Sequence, residues 1–524
     1  MEAAYTNPAP ISDFFSPAQE AFDRMTQHLE STAALAMSHQ ELEAYVVAEG
    51  REVQRRLLQA HLDLRSAAER PVQAIGADGV ERHQRRRNYR GLMSLVGELQ
   101  VHRLVYQVVG APFLCPQDAS LNLPEDSFSL GVRRRVAEDV ACGSFDEVVE
   151  RLGATTGAEI AKRQVEQLAQ RAATDFDAFY ATRPRNDNDI ADEKELLLVL
   201  SFDGAGIVMR TEDLRPATRR AAEQKERDPH WPPKRLPKGE KRNRKRMAQV
   251  AAVYGIAPFR REPEDIVREL RPERDTTPNK PRPKPVHKRV WASVELDPGQ
   301  VIDNAFEEAL RRDPERTRRW VVLVDGNETQ LELVYRAAAK AKVEITVVLD
   351  VIHVLEYLWK ASYCFHKDGT QEAEQWVQKR LLMLLEGTSA SDVAAGMMRS
   401  ATRQNLDKRE AVDTCAAYLC KYRDLLHYKD ALMAGLPIAT GVIEGACRYL
   451  VRDRMDRTGA RWSLQGAEAV LKLRALRTSD DWDAYWQFHC RAEYLRNHAS
   501  RYQGGAVPSP LPSPKSYGHL RRVK

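Results

Sequence analysis

Apolar residues gather along this chain in two patterns. The first is short, continuous and closed by an acidic residue. LLLVLSF, residues 196–202, runs into Asp203-Gly204; WVVLV, 320–324, runs into Asp325-Gly326; VEITVVL, 343–349, ends at Asp350. Runs of this length read as strands buried on both faces. MAQVAAVYGI, 247–256, and HKRVWASVEL, 287–296, read as two more strands, and helical periodicity falls at about 301–312 and 328–341. The order across this region is βββαβαβ, which predicts one mixed five-stranded sheet. In that order the first and fourth strands lie side by side and parallel, ~4.8 Å apart. Asp203 and Asp325 are then expected at one carboxyl edge, with Asp350 one strand further out.

The second pattern is helical. It covers about 18–70, clearest in EAYVVAEGREVQRRLLQAHLDLR, and returns over 130–180. Between them, 80–109 switches to β-branched and aromatic residues around Gly97, as a hairpin does. Arg85, Arg86 and Arg87 precede its first strand and suit either phosphate contact or a plain exposed edge. Within 144–180 the periodicity breaks at Gly153–Gly157 and resumes with Lys162 and Arg163. This is the outline of a helix-turn-helix with its second helix at about 159–172, and equally of an ordinary packed helix pair. RPRNDNDIADE, 183–193, reads as a linker. Residues 355–435 carry amphipathic helices with no strand signal and read as an all-helical insertion. A helix pair follows within 436–500, and the Pro/Ser-rich, basic stretch 501–524 reads as a disordered tail. The chain is therefore expected to be multi-domain α+β: a mainly helical N-terminal region at 1–190, an α/β domain at 191–354 completed by 436–500, and the insertion between.

Charge sharpens this picture. The net charge is only +5, but residues 215–290 hold 23 Lys and Arg against 10 Asp and Glu, which leaves the rest of the chain at −8. The surplus lies in two long Pro-rich stretches, 215–246 and 258–286, on either side of a strand. Concentrated positive charge suits a polyanion, DNA above all, although a solvated loop would look the same. Lys241, Arg242, Arg244, Lys245 and Arg246 are the leading candidates for phosphate contacts. The seven cysteines are scattered with no C-x-x-C, which suggests a reducing, cytoplasmic setting and no zinc ribbon. The N-terminus has no basic region followed by an apolar one, and no apolar run approaches ~18 residues, so neither secretion nor a membrane span is expected.

Carboxylates at a sheet edge beside basic loops suggest phosphodiester chemistry. Such chemistry needs an activated water or 3′-hydroxyl and compensation for charge building on phosphate, which paired Mg²⁺ ions supply. Mg²⁺ is held by few carboxylates, leaving room for water and phosphate. A third carboxylate should come from a helix crossing the edge. Glu444, in TGVIEGACR at the start of a strong helix, fits, with Arg448 and Arg452 at i+4 and i+8 to meet adjoining phosphates. A surface Glu–Arg pair is the plain alternative for these residues, and Glu468 is the other acidic candidate.

The stretches LVLSFDGAGIVM, KRVWASVE, RRWVVLVDGNETQL, VVLDVIHVLEYLWKA and GLPIATGVIEGACRYLVRDRMDRTGARWS resemble the DDE transposases of the Kra-type bacterial insertion sequences. These belong to the RNase H-like superfamily, in its Mutator-like branch with a helical insertion before the Glu. The resemblance spans about residues 80–495. It implies an RNase H-like catalytic domain and Asp203, Asp325 and Glu444 as a metal-binding triad using Mg²⁺, with Mn²⁺ as a substitute. It matches Asp350 and His353 to a D-x-x-H motif, and Arg461-Trp462 to an R-W motif whose Trp lies near a distorted base. Where relatives carry a cysteine-rich ribbon only Cys115 remains, so no zinc is expected. The implied activity is binding of insertion-sequence ends, strand cleavage and strand transfer by a homodimer or higher oligomer in the bacterial cytoplasm, at the nucleoid when acting. An RNase H-like nuclease or junction resolvase, and a non-catalytic DNA-binding protein that kept the fold, are the alternatives.

Overall fold

The computed structural model describes residues 11–157, 159–183, 195–226, 244–270, 281–457 and 459–512. The chain divides into two units, Met1–Ala181 with Trp482–Lys524, and Thr182–Asp481. Each combines helices with one sheet, and among the described residues no helix is long and apolar enough to cross a membrane.

In the first unit the expected hairpin is β1 (Gln84–Ser94) and β2 (Gly97–Val108), joined by a short third strand, β3 (Ala111–Leu114). The three form an antiparallel sheet in the order β1-β2-β3. Leu92, Leu99 and Val101 bury one face of it against Leu62 of the long helix His39–Ala68. The β1 residues from Gln84 to Tyr89 are exposed. The helix pair is also present, as Phe145–Thr156 and Lys162–Ala173, with Gly157 closing the first in a left-handed conformation. Val165, Leu168 and Ala169 face the core, and Lys162 Nζ pairs with Asp146 at 2.6 Å.

Two parts of this unit differ from the sequence expectation. The helix Trp482–Asn497, expected to complete the α/β domain, belongs here. Tyr485 Oη donates to the Ala172 carbonyl at 2.5 Å, and Arg133 pairs with Glu493 at 2.6 Å. Residues 501–512 are not a loose tail. Tyr502 is buried, the Gln503 N–H donates to Ile75 O at 3.1 Å, and the Arg70 N–H donates to Pro510 O at 2.8 Å. Composition marked this stretch as unstructured, but a single buried aromatic and a few backbone bonds suffice to dock it. Residues 513–524 lie outside the described residues.

The second unit holds the five-stranded sheet: β4 (Leu197–Val208), β5 (Lys245–Ile256), β6 (Val286–Ser293), β7 (Trp320–Val324) and β8 (Ile345–Leu349). The order is β6-β5-β4-β7-β8, with β4–β5 and β5–β6 antiparallel and β4–β7 and β7–β8 parallel. Helices Pro298–Arg312 and Glu328–Ala341 make the crossovers that parallel pairing requires. All five residues of β7 are buried, which is why its sequence shows no alternation. One boundary moves: β4 does not stop at Phe202. Its ladder with β5 runs on to Val208 opposite Lys245, so Asp203 lies inside β4, at the level where β7 ends.

After β8 the chain is helical: Val351–Ser362, Gln371–Leu385, Ala390–Arg403, Glu410–Lys421 and Tyr428–Met433. The chain then returns to the sheet through Gly441–Ala446, which packs on β4 and β5.

Candidate functional site

Strand register builds the site. Leu198 pairs with Trp320 and Ser201 with Leu323, so the same step sets Asp203 level with Asp325. Val324 pairs with Leu349, which sets Asp325 level with Asp350. Three aspartates thus stand in one row across β4, β7 and β8, at the carboxyl ends of β7 and β8, where open sheets of this kind present their chemistry. Asp203 and Asp325 are part-buried and Asp350 is fully buried.

The helix beginning at Gly441 brings the remaining groups. Ligand atoms of Asp350, His353 and Glu444 all lie within 4.8 Å of one another. One turn past Glu444, the Cys447 thiol donates to Asp203 Oδ2 at 3.2 Å, and Asp203 Oδ1 accepts from the Gly204 N–H at 2.6 Å. Burial beside Asp203 pushes the Cys447 thiol far above its ordinary range, so it stays a protonated donor. Asp325 Oδ1 accepts from the Asn327 N–H at 2.9 Å. The structure therefore brings Asp203, Asp325, Asp350, His353 and Glu444 together.

Their roles are not equivalent. Asp350 accepts four hydrogen bonds: His353 Nδ1 at 2.7 Å, Thr440 Oγ1 at 2.8 Å, the Thr440 N–H at 3.1 Å and the Ile352 N–H at 3.2 Å. Its oxygens are occupied, so it holds other groups in place. His353 is the chief beneficiary. The bond to Asp350 raises its pKa to about 9 against the opposing effect of burial, and the charges of Asp350 and Asp325 add to the rise. With Nδ1 on Asp350, Nε2 is the edge left for other partners. Glu444 is exposed as a residue, yet its carboxyl is held above the ordinary range, first by desolvation at the sheet edge and then by the charge of Asp350, with Asp203 adding to it. Among the described residues, Asp203, Asp325 and Glu444 join no ion pair with Lys or Arg. The ligand atoms within 4.8 Å of one another are those of Asp350, His353 and Glu444, with Asp203 and Asp325 beside them in the row; hard oxygens in this number suit a divalent cation, and the imidazole of His353 stands among them.

The helical segment after β8 grips the same edge. Tyr418 Oη donates to the Asp325 carbonyl at 3.0 Å, Tyr422 Oη to the Gly326 carbonyl, and Tyr428 Oη to the Leu349 carbonyl at 3.0 Å. Gly326 has φ +93° and packs against both Tyr418 and Tyr422, so a side chain there would meet both strain and crowding. Three phenols on the helices after β8 thus fix the backbone at the ends of β7 and β8. Sequence reasoning missed them, along with Thr440 and Cys447. The i,i+4 spacing of Tyr418 and Tyr422 on one helix face was the available signal.

Several expected DNA contacts are placed otherwise. The helix after Glu444 is not a regular α-helix: Cys447–Arg452 forms a π-helical turn. Its i→i+5 bonding changes the four-residue spacing on which Arg448 and Arg452 were placed relative to Glu444. Arg448 is exposed and lies 4.0 Å from Asp453, five residues on, and Arg452 is exposed too. Trp462 is buried: its Nε1 donates to Met455 O at 3.0 Å, Arg454 covers its ring at 4.7 Å, and its backbone bridges to Met209. That environment makes it a packing residue with no face for a base, while Arg461 is exposed beside it. Arg246 spends its guanidinium on the carbonyls of Val294 at 2.7 Å and Asp213 at 3.1 Å. Arg244 donates to Thr211 Oγ1 at 2.9 Å, and Lys245 is exposed. Lys241 and Arg242 lie outside the described residues. Glu468 is buried away from the row, its Oε2 accepting from Ser293 Oγ and the Val294 N–H at the end of β6.

Neither a family model nor a curated protein matches the chain.

Proposed function

We propose that this chain is a DNA transposase of the DDE type, built on an RNase H-like domain, that cleaves and joins DNA strands at the Asp203–Asp325–Glu444 cluster. The observation that carries the reading is the register that sets Asp203 level with Asp325 on adjacent parallel strands, with Glu444 entering from a helix across β4 and β5. The sequence resemblance to Kra-type transposases supports it.

Asp203, Asp325 and Glu444 would hold the divalent cations. Bound there, Mg²⁺ or Mn²⁺ would activate the attacking hydroxyl and offset charge on the phosphate. The chain's own groups do the rest. Asp350 fixes the imidazole of His353, which is held protonated and keeps Nε2 free of Asp350, so that a cationic donor at this edge can meet a phosphate oxygen. Thr440 ties the start of the Glu444 helix to Asp350, so the third carboxylate is placed relative to β8. The three tyrosines keep the strand ends from shifting as charge is neutralised.

DNA contact falls to the exposed cations, Lys245, Arg448, Arg452 and Arg461, with recognition of ends assigned to the first unit, whose exposed β1 arginines and helix pair suit a nucleic acid. Joining two ends requires at least two copies. The test is cleavage and joining of DNA carrying the sequences that flank this reading frame, with Mg²⁺, with Mn²⁺ and with chelator. Metal-dependent nicking followed by strand joining is the expected result. Nicking without joining would favour a nuclease, and neither activity would leave a binding protein.

A further inference from the structure

The long helix His39–Ala68 of the first unit has one covered face and one open face. On the covered face the Tyr45 and His28 ring centroids lie 4.3 Å apart, and Arg56 Nη1 donates to the Pro17 carbonyl at 3.1 Å, so both residues meet the helix Ile11–Leu29. The open face is apolar. Val46, Val47, Leu57 and Leu58 are each 40–61% exposed, and no residue from 39 to 59 is buried. Val46 and Leu57 are three turns apart, as are Val47 and Leu58, so the four share one side. Helical spacing puts Glu43, Gly50, Gln54 and His61 on that side too. Gly50 is an unfavourable choice for a helix interior, and a Cβ there would meet nothing within 4 Å. An open apolar stripe of roughly 18 Å along a helix marks a surface that is covered by a partner.

We propose that the partner is a second copy of this chain, with the two His39–Ala68 helices paired antiparallel about a two-fold axis at the level of Glu52. The stripe matches itself in that arrangement. Val46 falls opposite the partner's Leu58, Val47 opposite the partner's Leu57, Glu43 opposite the partner's His61 and Gly50 opposite the partner's Gln54. A patch that complements its own reverse is the requirement of a two-fold contact, in which each residue pair occurs twice. Charge selects the same direction. Residues 39–50 hold Glu41, Glu43 and Glu49 with no Lys or Arg, while 51–65 hold Arg51, Arg55, Arg56 and Arg65 against Glu52 and Asp63. Antiparallel pairing lays the acidic half on the basic half, and parallel pairing would lay like on like. Gly50, near the axis, lets the two backbones approach closely. One helix pair is at the small end of specific interfaces, so dissociation in the micromolar range is expected. The interface rests on this helix alone; its use, holding together the two copies that join two DNA ends, rests on the function proposed above.

The test is sedimentation equilibrium of the full chain without DNA or divalent metal, with thermal unfolding of each variant alongside. The wild type should form a dimer. Val47→Glu and Leu57→Glu change exposed side chains, so unfolding should stay near that of the wild type while dimer affinity falls roughly tenfold or more. Cysteine cross-linking checks the register. Val47→Cys combined with Leu57→Cys should give a covalent dimer on mild oxidation. Val47→Cys alone should link no more than the wild type, since antiparallel pairing holds the two positions roughly 15 Å apart along the helices. A monomeric wild type overturns the proposal, as does a dimer that both glutamate variants leave unchanged. Efficient linking by Val47→Cys alone overturns the antiparallel arrangement. Metal-dependent cleavage is read separately: a monomer that still cleaves DNA would sink only the interface, and a dimer that does not cleave would sink only the proposed reaction.

Discussion

Asp350 Oδ2 accepts from His353 Nδ1 at 2.7 Å, while the same carboxylate receives both the hydroxyl and the backbone N–H of Thr440. One buried side chain therefore joins the end of β8, the following helix and the helix that carries Glu444. Asp350→Asn keeps the shape but turns one acceptor into a donor facing other donors. Stability should fall by about 1–3 kcal/mol, the cost of a buried unmet group. Chemical denaturation measures this. Metal binding should weaken and not vanish, because Asp350 positions the site and has no oxygen free for an ion. Complete loss of binding with an intact fold would instead make Asp350 a ligand.

Much of this arrangement was legible in the sequence. Runs such as WVVLV read as strands because a strand buried on both faces is continuously apolar and these runs are short and flanked by turn residues, and the acidic residue closing each run marked the edge. What could not be read was the detail that depends on other elements. β4 runs past Asp203 because β5 pairs with it, and nothing in LVLSFDGAGIVM announces that partner. The π-helical turn after Glu444 is a backbone choice that a four-residue periodicity cannot reveal. Trp462 looked available because an exposed and a buried tryptophan have the same letter. The docking of residues 501–512 rests on Tyr502 and a few backbone bonds, too little to outweigh a Pro/Ser-rich composition.

The tyrosines on the helices after β8 give a second expectation. Tyr422→Phe removes only the hydroxyl that reaches the Gly326 carbonyl. The loss in stability should be small, about 1 kcal/mol. The effect on cation binding should be larger than that of Tyr→Phe at an exposed site such as Tyr335, because the turn that carries Asp325 is freed. Calorimetric titration with Mn²⁺ of the two variants separates the cases. Equal affinities would reduce these phenols to packing.

A third expectation concerns acid. Glu308 is buried among Arg289, Arg311 and Arg312, and their charges hold its carboxyl far below the ordinary range despite burial. A folded-state pKa below the unfolded one contributes stability that is present above about pH 4.5 and lost as pH falls toward the folded value. Glu308→Gln leaves Arg289 buried without its partner and should cost about 3–5 kcal/mol near pH 7. The gap between wild type and variant should narrow at pH 3, where the wild type has already lost part of the contribution. Denaturant unfolding at both pH values checks it, and a constant gap would contradict the assignment.

The central claim is that Asp203, Asp325 and Glu444 act as one cation site. Mn²⁺ binding to the full chain, followed by calorimetry, tests it without needing the DNA substrate. The wild type should bind, and Asp203→Asn, Asp325→Asn and Glu444→Gln should each abolish measurable binding while thermal unfolding stays near that of the wild type. The double variants should be no worse than the singles, since one missing ligand already disables the unit. Wild-type affinity in Glu444→Gln, or no binding by the wild type at all, would contradict the account.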